Sequence, residues 1–244
     1  MSKIIQSDSL VYLRDYHKEV VDLIFIDPPF NTGNIQKIHG RSYNDDYNEN
    51  FVEWLMNHIE ISYTWLSETG SLFVLLDWRE VHYVKVALDT LFGRDNFCNE
   101  IIWSFDYGGR PKRLWPRKHN TILWYSKTND YTFNFDAIDR IPYMAPTLVG
   151  PEKAARGKTP TDVWWNSIVH TTGAERLDYP TQKPLSILER IVLTHSNRGD
   201  KVIDFFAGSG TTGEAAGKNG REFIMVDENF DAIKIMRKRL AQYL

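Results

Sequence analysis

The chain has 244 residues, 42% hydrophobic and 25% charged, which suits one large α/β domain with an insertion and excludes a disordered or fibrous chain. Its formal net charge of -3 advertises no polyanion partner, so nucleic-acid binding would have to come from a local basic patch. The single cysteine, Cys98, rules out an intramolecular disulfide or a multi-cysteine zinc site and fits a cytoplasmic setting; the first residues lack a signal-peptide core, and no apolar run is long enough for a membrane.

In chain order, residues 3–6 read as a short strand ending near Asp8, followed by a helix to about Tyr16. Residues 21–26 form a continuous apolar run, the pattern of a strand buried on both faces. A polar stretch, 31–50, reads as a long loop, and its length favours a functional role. Residues 51–66 carry Val52, Leu55, Ile59 and Leu66 at helical spacing. Residues 72–76 are a second buried strand ending at Asp77, whose carboxylate reads as a cap for the next helix. That helix places Val81, Val84, Leu88 and Leu91 on one stripe. Residues 100–105 and 121–126 read as strands, antiparallel at one edge.

The rhythm breaks at 129–178, where Pro142, Pro146, Pro151 and Pro160 interrupt any long periodic element. This region reads as an inserted recognition lobe, with at least one of Trp164 and Trp165 in the core. Regularity returns with a helix after Pro184, carrying Leu185, Leu188, Ile191 and Val192. Strand 201–205, helix 211–219, strand 222–226 and helix 229–242 complete the chain. Strands alternating with helices indicate a parallel sheet covered on both faces. The expected organisation is therefore a split domain, 1–128 with 179–244, around the insertion.

Two stretches carry chemistry. Asp27-Pro28-Pro29-Phe30 ends the strand 21–26; proline stops the strand, so a carboxylate is held on a stiff turn beside an aromatic ring. Ligands of open parallel sheets bind outside the strands' carboxyl ends. An acceptor oxygen next to a flat apolar surface suits a planar ring bearing an amino group. The bland alternative is an ordinary strand-ending turn capped by Asp27.

The second stretch runs from Asp204 through Phe206, Ala207, Gly208, Ser209, Gly210, Thr211 and Thr212: strand, glycine turn, helix start. Its glycines allow close backbone approach and its helix-start amides can donate. Asp227, ending the next strand, is placed for the two hydroxyls of a ribose. Read literally, residues 208–213 match the dinucleotide fingerprint of a nicotinamide enzyme, a weak signal alone. Asp204 argues against it, since a carboxylate there repels a pyrophosphate but can hold an ammonium-bearing ligand. A nucleoside with a cationic amino-acid tail, S-adenosylmethionine, fits better.

Together these stretches resemble the β-group of DNA amino-methyltransferases, in which the catalytic tetrapeptide precedes the cofactor turn. The resemblance extends through Asn31-Thr32-Gly33-Asn34, Tyr179-Pro180-Thr181-Gln182-Lys183-Pro184-Leu185 and Ser196-Asn197-Arg198-Gly199-Asp200. It implies a Rossmann-like seven-stranded methyltransferase sheet, circularly permuted, with 129–178 as the target-recognition region. It also implies that Asp8 reaches the cofactor's adenine and that Thr181, Gln182 and Lys183 flank its methionine end. Adenine N6 is the expected target, because aspartate opens the tetrapeptide, with cytosine N4 the alternative. Double-stranded DNA is the implied partner, a homodimer and a cognate restriction endonuclease are further possibilities of the resemblance, and no metal is implied. Phe205, where the family usually has proline, and Asp227, in place of the commoner glutamate, are departures.

Residues 110–118 hold Arg110, Lys112, Arg113, Arg117 and Lys118 without an acidic residue. In the company of the tetrapeptide they read as a DNA-phosphate contact rather than a plain solvated loop. Lys153, Arg156 and Lys158 add basic residues in the insertion. Tyr43, Asp45, Asp46 and Tyr47 are expected to close over an extruded base. The run Arg237-Lys238-Arg239 reads as structural, at a helix end where cations are favoured. A DNA-binding subunit without chemistry is a competing reading, disfavoured because the expected catalytic and cofactor groups are present.

Overall fold

The computed structural model describes all residues except 16, 17, 39, 40, 46, 48, 49, 171, 178 and 180; for 34–38 and 41–44 it describes the backbone alone. Among the described residues the main sheet has eight strands: β1 (Lys3–Gln6), β2 (Val21–Ile26), β5 (Leu66–Leu76), β6 (Phe97–Ser104), β7 (His119–Ser126), β8 (Val163–Trp165), β9 (Lys201–Asp204) and β10 (Glu222–Asp227), in the order β1-β10-β9-β2-β5-β7-β6-β8. β7 alone runs against its neighbours β5 and β6; every other pairing is parallel. The carboxyl ends of β1, β10, β9, β2, β5, β6 and β8 therefore share one rim. The predicted antiparallel pairing of the strands around 100–105 and 121–126 is present.

Two findings differ from the sequence reading. The main sheet has eight strands rather than seven, because Val163–Trp165, inside the stretch read as an insertion, pairs in parallel with β6. Trp164 is buried there, whereas Trp165 is 74% exposed. A three-residue strand is too short to show a period, so composition hid it. Second, the stretch 31–50 is not structureless. It holds a two-stranded antiparallel sheet, β3 (Asn34–Ile38) with β4 (Arg41–Asp45). Asp46 lies outside the described residues.

Strand alternation divides the core. Ile24 and Ile26 of β2 pack into one layer with α1 (Ser9–Asp15), α2 (Phe51–Trp65) and α3 (Val81–Phe92). Leu23 and Phe25 pack into the other with α5 (Leu185–His195), α6 (Thr211–Lys218) and α7 (Phe230–Arg239), while a short α4 (Pro151–Arg156) lies outside both. Period-two side chains buried on both faces are what a continuous apolar strand requires. The chain's two ends are thereby joined: β9 pairs with β2, aligning Val202 with Leu23 and Ile203 with Ile24. Among the described residues no helix is long and apolar enough to cross a membrane.

Part of 129–178 also packs on the scaffold. Asn134 donates from its backbone to Thr194 O (2.7 Å), and Arg190 of α5 holds Asp139 in a two-pronged ion pair (2.7 and 2.6 Å). The Arg190 guanidinium also lies 4.7 Å from the Trp164 ring centre.

Candidate active site

A cavity of about 550 Å³ opens at the shared rim, lined from both ends of the chain, among others by Asp8, Asp27, Phe30, Lys183, Asp204 and Asp227. Asp27 stands directly after β2, Asp204 ends β9 beside it, and Asp227 ends β10, the next strand out. Of the residues read as catalytic or cofactor-binding, all line it except Gly210. Gly210 is structural: its φ is +76°, and a Cβ there would stand 2.7 Å from Met236 Cγ of α7, a position only glycine fills without strain. Gly208 does face the cavity, with a φ of +50° and the Tyr179 ring 3.1 Å from where a Cβ would be.

Asp27 has two unlike oxygens. Oδ2 accepts from the Lys183 ammonium, while Oδ1 is buried with no hydrogen-bond partner among the described residues. Burial raises the Asp27 pKa above the ordinary carboxylate value, Lys183 opposes that rise, and nearby Asp45 adds to it. Lys183 also donates to Thr181 O (3.0 Å) and lies 5.3 Å from the Phe30 ring centre. The turn after Phe30 is braced: Asn31 donates from its backbone to Asp45 (2.8 Å) and from its side chain to Glu80 (2.7 Å).

Two more carboxylates stand at the glycine turn, Asp204 buried before it and Asp227 half-buried at the end of β10. Asp204 accepts from Phe206 N (3.0 Å) and Thr212 Oγ1 (2.6 Å), and burial pushes its pKa up to about 7, with the charges of Asp27 and Asp227 adding to the rise. Asp227 accepts from Gly208 N and Asn229 N, both at 2.8 Å, and burial raises it to about 6. Asp8 caps α1 through Val11 N (2.9 Å). Gln182 lines the cavity, but its amide is spent on the loop, accepting from Leu177 N (2.9 Å) and donating to Glu175 O (2.7 Å).

Sequence reading missed an aromatic wall. Tyr47, Trp54, His58 and Phe206 meet here, with 4.2 Å between the Tyr47 and Trp54 ring centres and 5.4 Å from Phe206 to each of Trp54 and His58. His58 Nδ1–H donates to Trp54 O (2.8 Å), and burial lowers its pKa, keeping the ring neutral. Trp54 and His58 are one turn apart on α2, a spacing visible in the sequence, but only the fold brings them to Phe206. Tyr47 thus stands in this wall and lines the same cavity as Asp27 and Phe30. Phe205, the departure from the family pattern, is fully buried with its ring parallel to His58.

Asp77 does not cap the next helix with its side chain, contrary to the sequence reading: Glu80 stands at the N-cap of α3, and the Asp77 carboxylate closes the turn before it. That carboxylate accepts from Arg79 N (2.9 Å), the Asp77 carbonyl accepts from Val81 N at the start of α3 (3.3 Å), and the residue does not line the cavity. The basic stretch leaves the same rim at the end of β6. Arg117 stacks on Trp78, with its guanidinium 3.7 Å from the ring centre, and Lys118 is turned inward to Tyr107 O (2.6 Å) and Gly108 O (2.7 Å).

A family profile described as DNA methylase matches residues 21–238. The DNA adenine methyltransferase YhdJ of Escherichia coli (strain K12) is 33% identical over 251 residues, spanning 97% of this chain and 82% of that protein. Among solved structures, the M1.HpyAVI–SAM complex superposes with a TM-score of 0.66 at 23% identity, covering 98% of this chain and 100% of the other. The PvuII DNA methyltransferase, cytosine-N4-specific, superposes with a TM-score of 0.73 at 18% identity, covering 98% and 86%. These two likenesses agree with the α/β methyltransferase architecture found here. On the profile match and the identity to YhdJ across nearly its whole length, the chain belongs to the N6/N4 DNA methylase family.

Proposed function

We propose that the chain is an S-adenosylmethionine-dependent, site-specific DNA methyltransferase acting on the N6 amino group of an adenine turned out of duplex DNA. The observation that carries this is Asp27 Oδ1, a buried acceptor with no hydrogen-bond partner among the described residues, on the wall of a cavity shared with the glycine turn. A buried acceptor left unpaired costs about 1–3 kcal/mol, and an amino hydrogen is the group that satisfies it.

The residues fit the cofactor. Tyr47, Trp54, His58 and Phe206 form a surface for a purine with Asp8 beside it as an acceptor, Asp227 suits a diol, and Asp204 and Asp27 suit a cationic ligand. Thr181, Ala207, Gly208, Ser209, Thr211 and Thr212 complete the wall, and Lys183 offers an ammonium to a carboxylate. When bound, the cofactor supplies a methyl group on a cationic sulfur, a good leaving group.

The chain's own contribution is positioning. The adenine amine is a poor nucleophile because its lone pair is delocalised into the ring. Hydrogen bonds from N6 to Asp27 Oδ1 and to the Pro28 carbonyl localise that pair, Pro29 stiffens the turn, and Phe30 stacks on the base. Oδ1 also receives the proton that N6 sheds, a role suited to a carboxylate whose pKa burial has raised. Turning the base out costs a few kcal/mol, of which stacking on Phe30 returns about 1–3 kcal/mol.

Arg110, Lys112, Arg113 and Arg117 neutralise backbone phosphates, Lys118 braces the loop that carries them, and 129–178 reads the sequence from the edge of the sheet. Aspartate at position 27 and the resemblance to YhdJ favour adenine; the likeness to PvuII keeps cytosine N4 as the second reading. The resemblance also implies a homodimer, which sedimentation tests, and a companion endonuclease, which the recognition sequence identifies by the cleavage it blocks.

Plasmid DNA from cells expressing the chain is expected to carry N6-methyladenine in one sequence context. The Asp27→Ala variant is expected to leave none while still binding S-adenosylmethionine. N4-methylcytosine would overturn the base, and unmodified DNA with the wild-type chain would overturn the reading.

A further inference from the structure

The loop 105–118 holds an apolar pair, Leu114 and Trp115, clear of the protein on the rim that also carries Asp27. β6 is parallel to β2 through two antiparallel steps, β5 to β7 and β7 to β6, so the loop leaves at the rim that holds Asp27. Its base is closed by Phe105 N donating to Lys118 O (2.9 Å), by the two bonds from Lys118 Nζ, and by the Asp106–Arg110 ion pair (2.8 Å). Arg117 on Trp78 fastens the returning arm to the end of β5, the strand next to β2. Pro111 and Pro116 stiffen both arms by fixing φ.

At the tip, Trp115 is 93% exposed and Leu114 60% exposed. An indole so fully in water contributes nothing to the fold. It is flanked by Arg113 and Arg117, whose charge matches a phosphate backbone rather than a lipid tail or an apolar protein groove. A flipped base leaves a gap in the stack, and proteins that distort duplex DNA fill such gaps with apolar wedges. A flat π surface stacks on any base without regard to sequence.

We infer that Trp115 is a wedge: it enters the duplex where the target base leaves and holds the helix open while Asp27 and Phe30 retain the base. The inference rests on the DNA-methyltransferase reading and adds to it a positioning residue that touches DNA but not the reacting atoms. Trp165, also exposed at this rim, is held in strand β8 and lacks the stiffened basic loop, so it is not assigned this part.

The test uses the recognition sequence found by modified-base sequencing, as two oligonucleotide duplexes: one fully paired, the other with an abasic site opposite the target. Single-turnover methyl transfer by Trp115→Ala is expected to fall about tenfold or more on the paired duplex and to return to within about twofold of wild type on the abasic one, where less flipping cost remains. Trp115→Phe should keep most of the paired-duplex rate, and an unchanged cofactor-induced rise in Tm shows that the variants are folded. Equal losses on both duplexes would make Trp115 a general contact, and no loss on either would make it an idle surface residue; either overturns the wedge. A wild-type chain that methylates no DNA removes the underlying reading, and the wedge with it.

Discussion

The Lys183 ammonium donates to Oδ2 of Asp27 across 156 positions of sequence. Both side chains are largely withdrawn from solvent, at 12% and 18% exposure. The pair therefore places one positive charge against the carboxylate that the proposed reaction needs ionised, while the other oxygen of that carboxylate has no hydrogen-bond partner among the described residues.

Removing the ammonium should move the acid limb of the pH–rate profile. Asp27 must be ionised to accept from the amine, burial raises its pKa, and Lys183 opposes the rise. In Lys183→Met the folded pKa climbs further, so activity is lost at higher pH as the solution is acidified. Breaking such a pair costs stability, about 3–5 kcal/mol where it is fully buried, so the variant's Tm should fall as well. Single-turnover rates of the variant from pH 5 to 9 check the shift; a wild-type acid limb would mean that Lys183 does not tune Asp27.

Asp204 should make the cofactor-free chain less stable as pH rises. Its folded pKa is about 7 against an ordinary 3.8, so the folded chain keeps a proton that the unfolded chain has lost. The stability this gives is complete below about pH 4 and disappears as pH rises through 7. Asp204→Asn keeps acceptors for Phe206 N and can still bond Thr212, without the charge. The difference in Tm, variant minus wild type, should therefore grow from pH 5 to pH 8. The difference is the quantity to follow, because buried His195, pushed down to about 3, gives a pH dependence of opposite sign in both proteins.

Arg239 belongs to the cofactor turn although it lies outside the cavity. Its side chain is 4% exposed, pairs with Glu214, and donates to Ser209 O and Ser209 Oγ (both 3.2 Å) and Thr211 Oγ1 (2.9 Å). Arg239→Met should loosen the turn and raise KM for S-adenosylmethionine about tenfold, the loss of roughly one charge-assisted hydrogen bond. KM for DNA should hardly move. Steady-state kinetics with each substrate varied in turn distinguish this from general unfolding, which would lower kcat alone.

Phosphate contacts by the basic loop should show in salt dependence. Lys112→Ala and Arg113→Ala are each expected to weaken duplex binding without altering the methylated sequence. Each should reduce the slope of log affinity against log salt by about one. Arg117→Ala should do more, because it also releases the arm from Trp78. Fluorescence anisotropy over a salt series gives the slopes.

Much of the site was legible because its signals are local. A continuous apolar strand ending at Asp27 before two prolines, and another ending at Asp204 before glycines, need no knowledge of distant contacts. The helices Phe51–Trp65, Val81–Phe92 and Leu185–His195 were legible from their apolar spacing for the same reason. What stayed hidden had short or non-local causes. Val163–Trp165 is a strand because β6 offers it an open edge, not because three residues prefer to be one.

The order of residues alone determined that two carboxylate-bearing turns and an aromatic ring sit at strand ends, since apolar period, proline and glycine act over a few positions. Only the folded chain decided that β9 would lie against β2, so that Lys183 meets Asp27, Trp54 and His58 meet Phe206, and Arg239 reaches Ser209. Those contacts join residues far apart in sequence, and burial gives them their strength: desolvation sets the pKa of Asp27 and Asp204, and desolvation exists only once the sheet has closed over them.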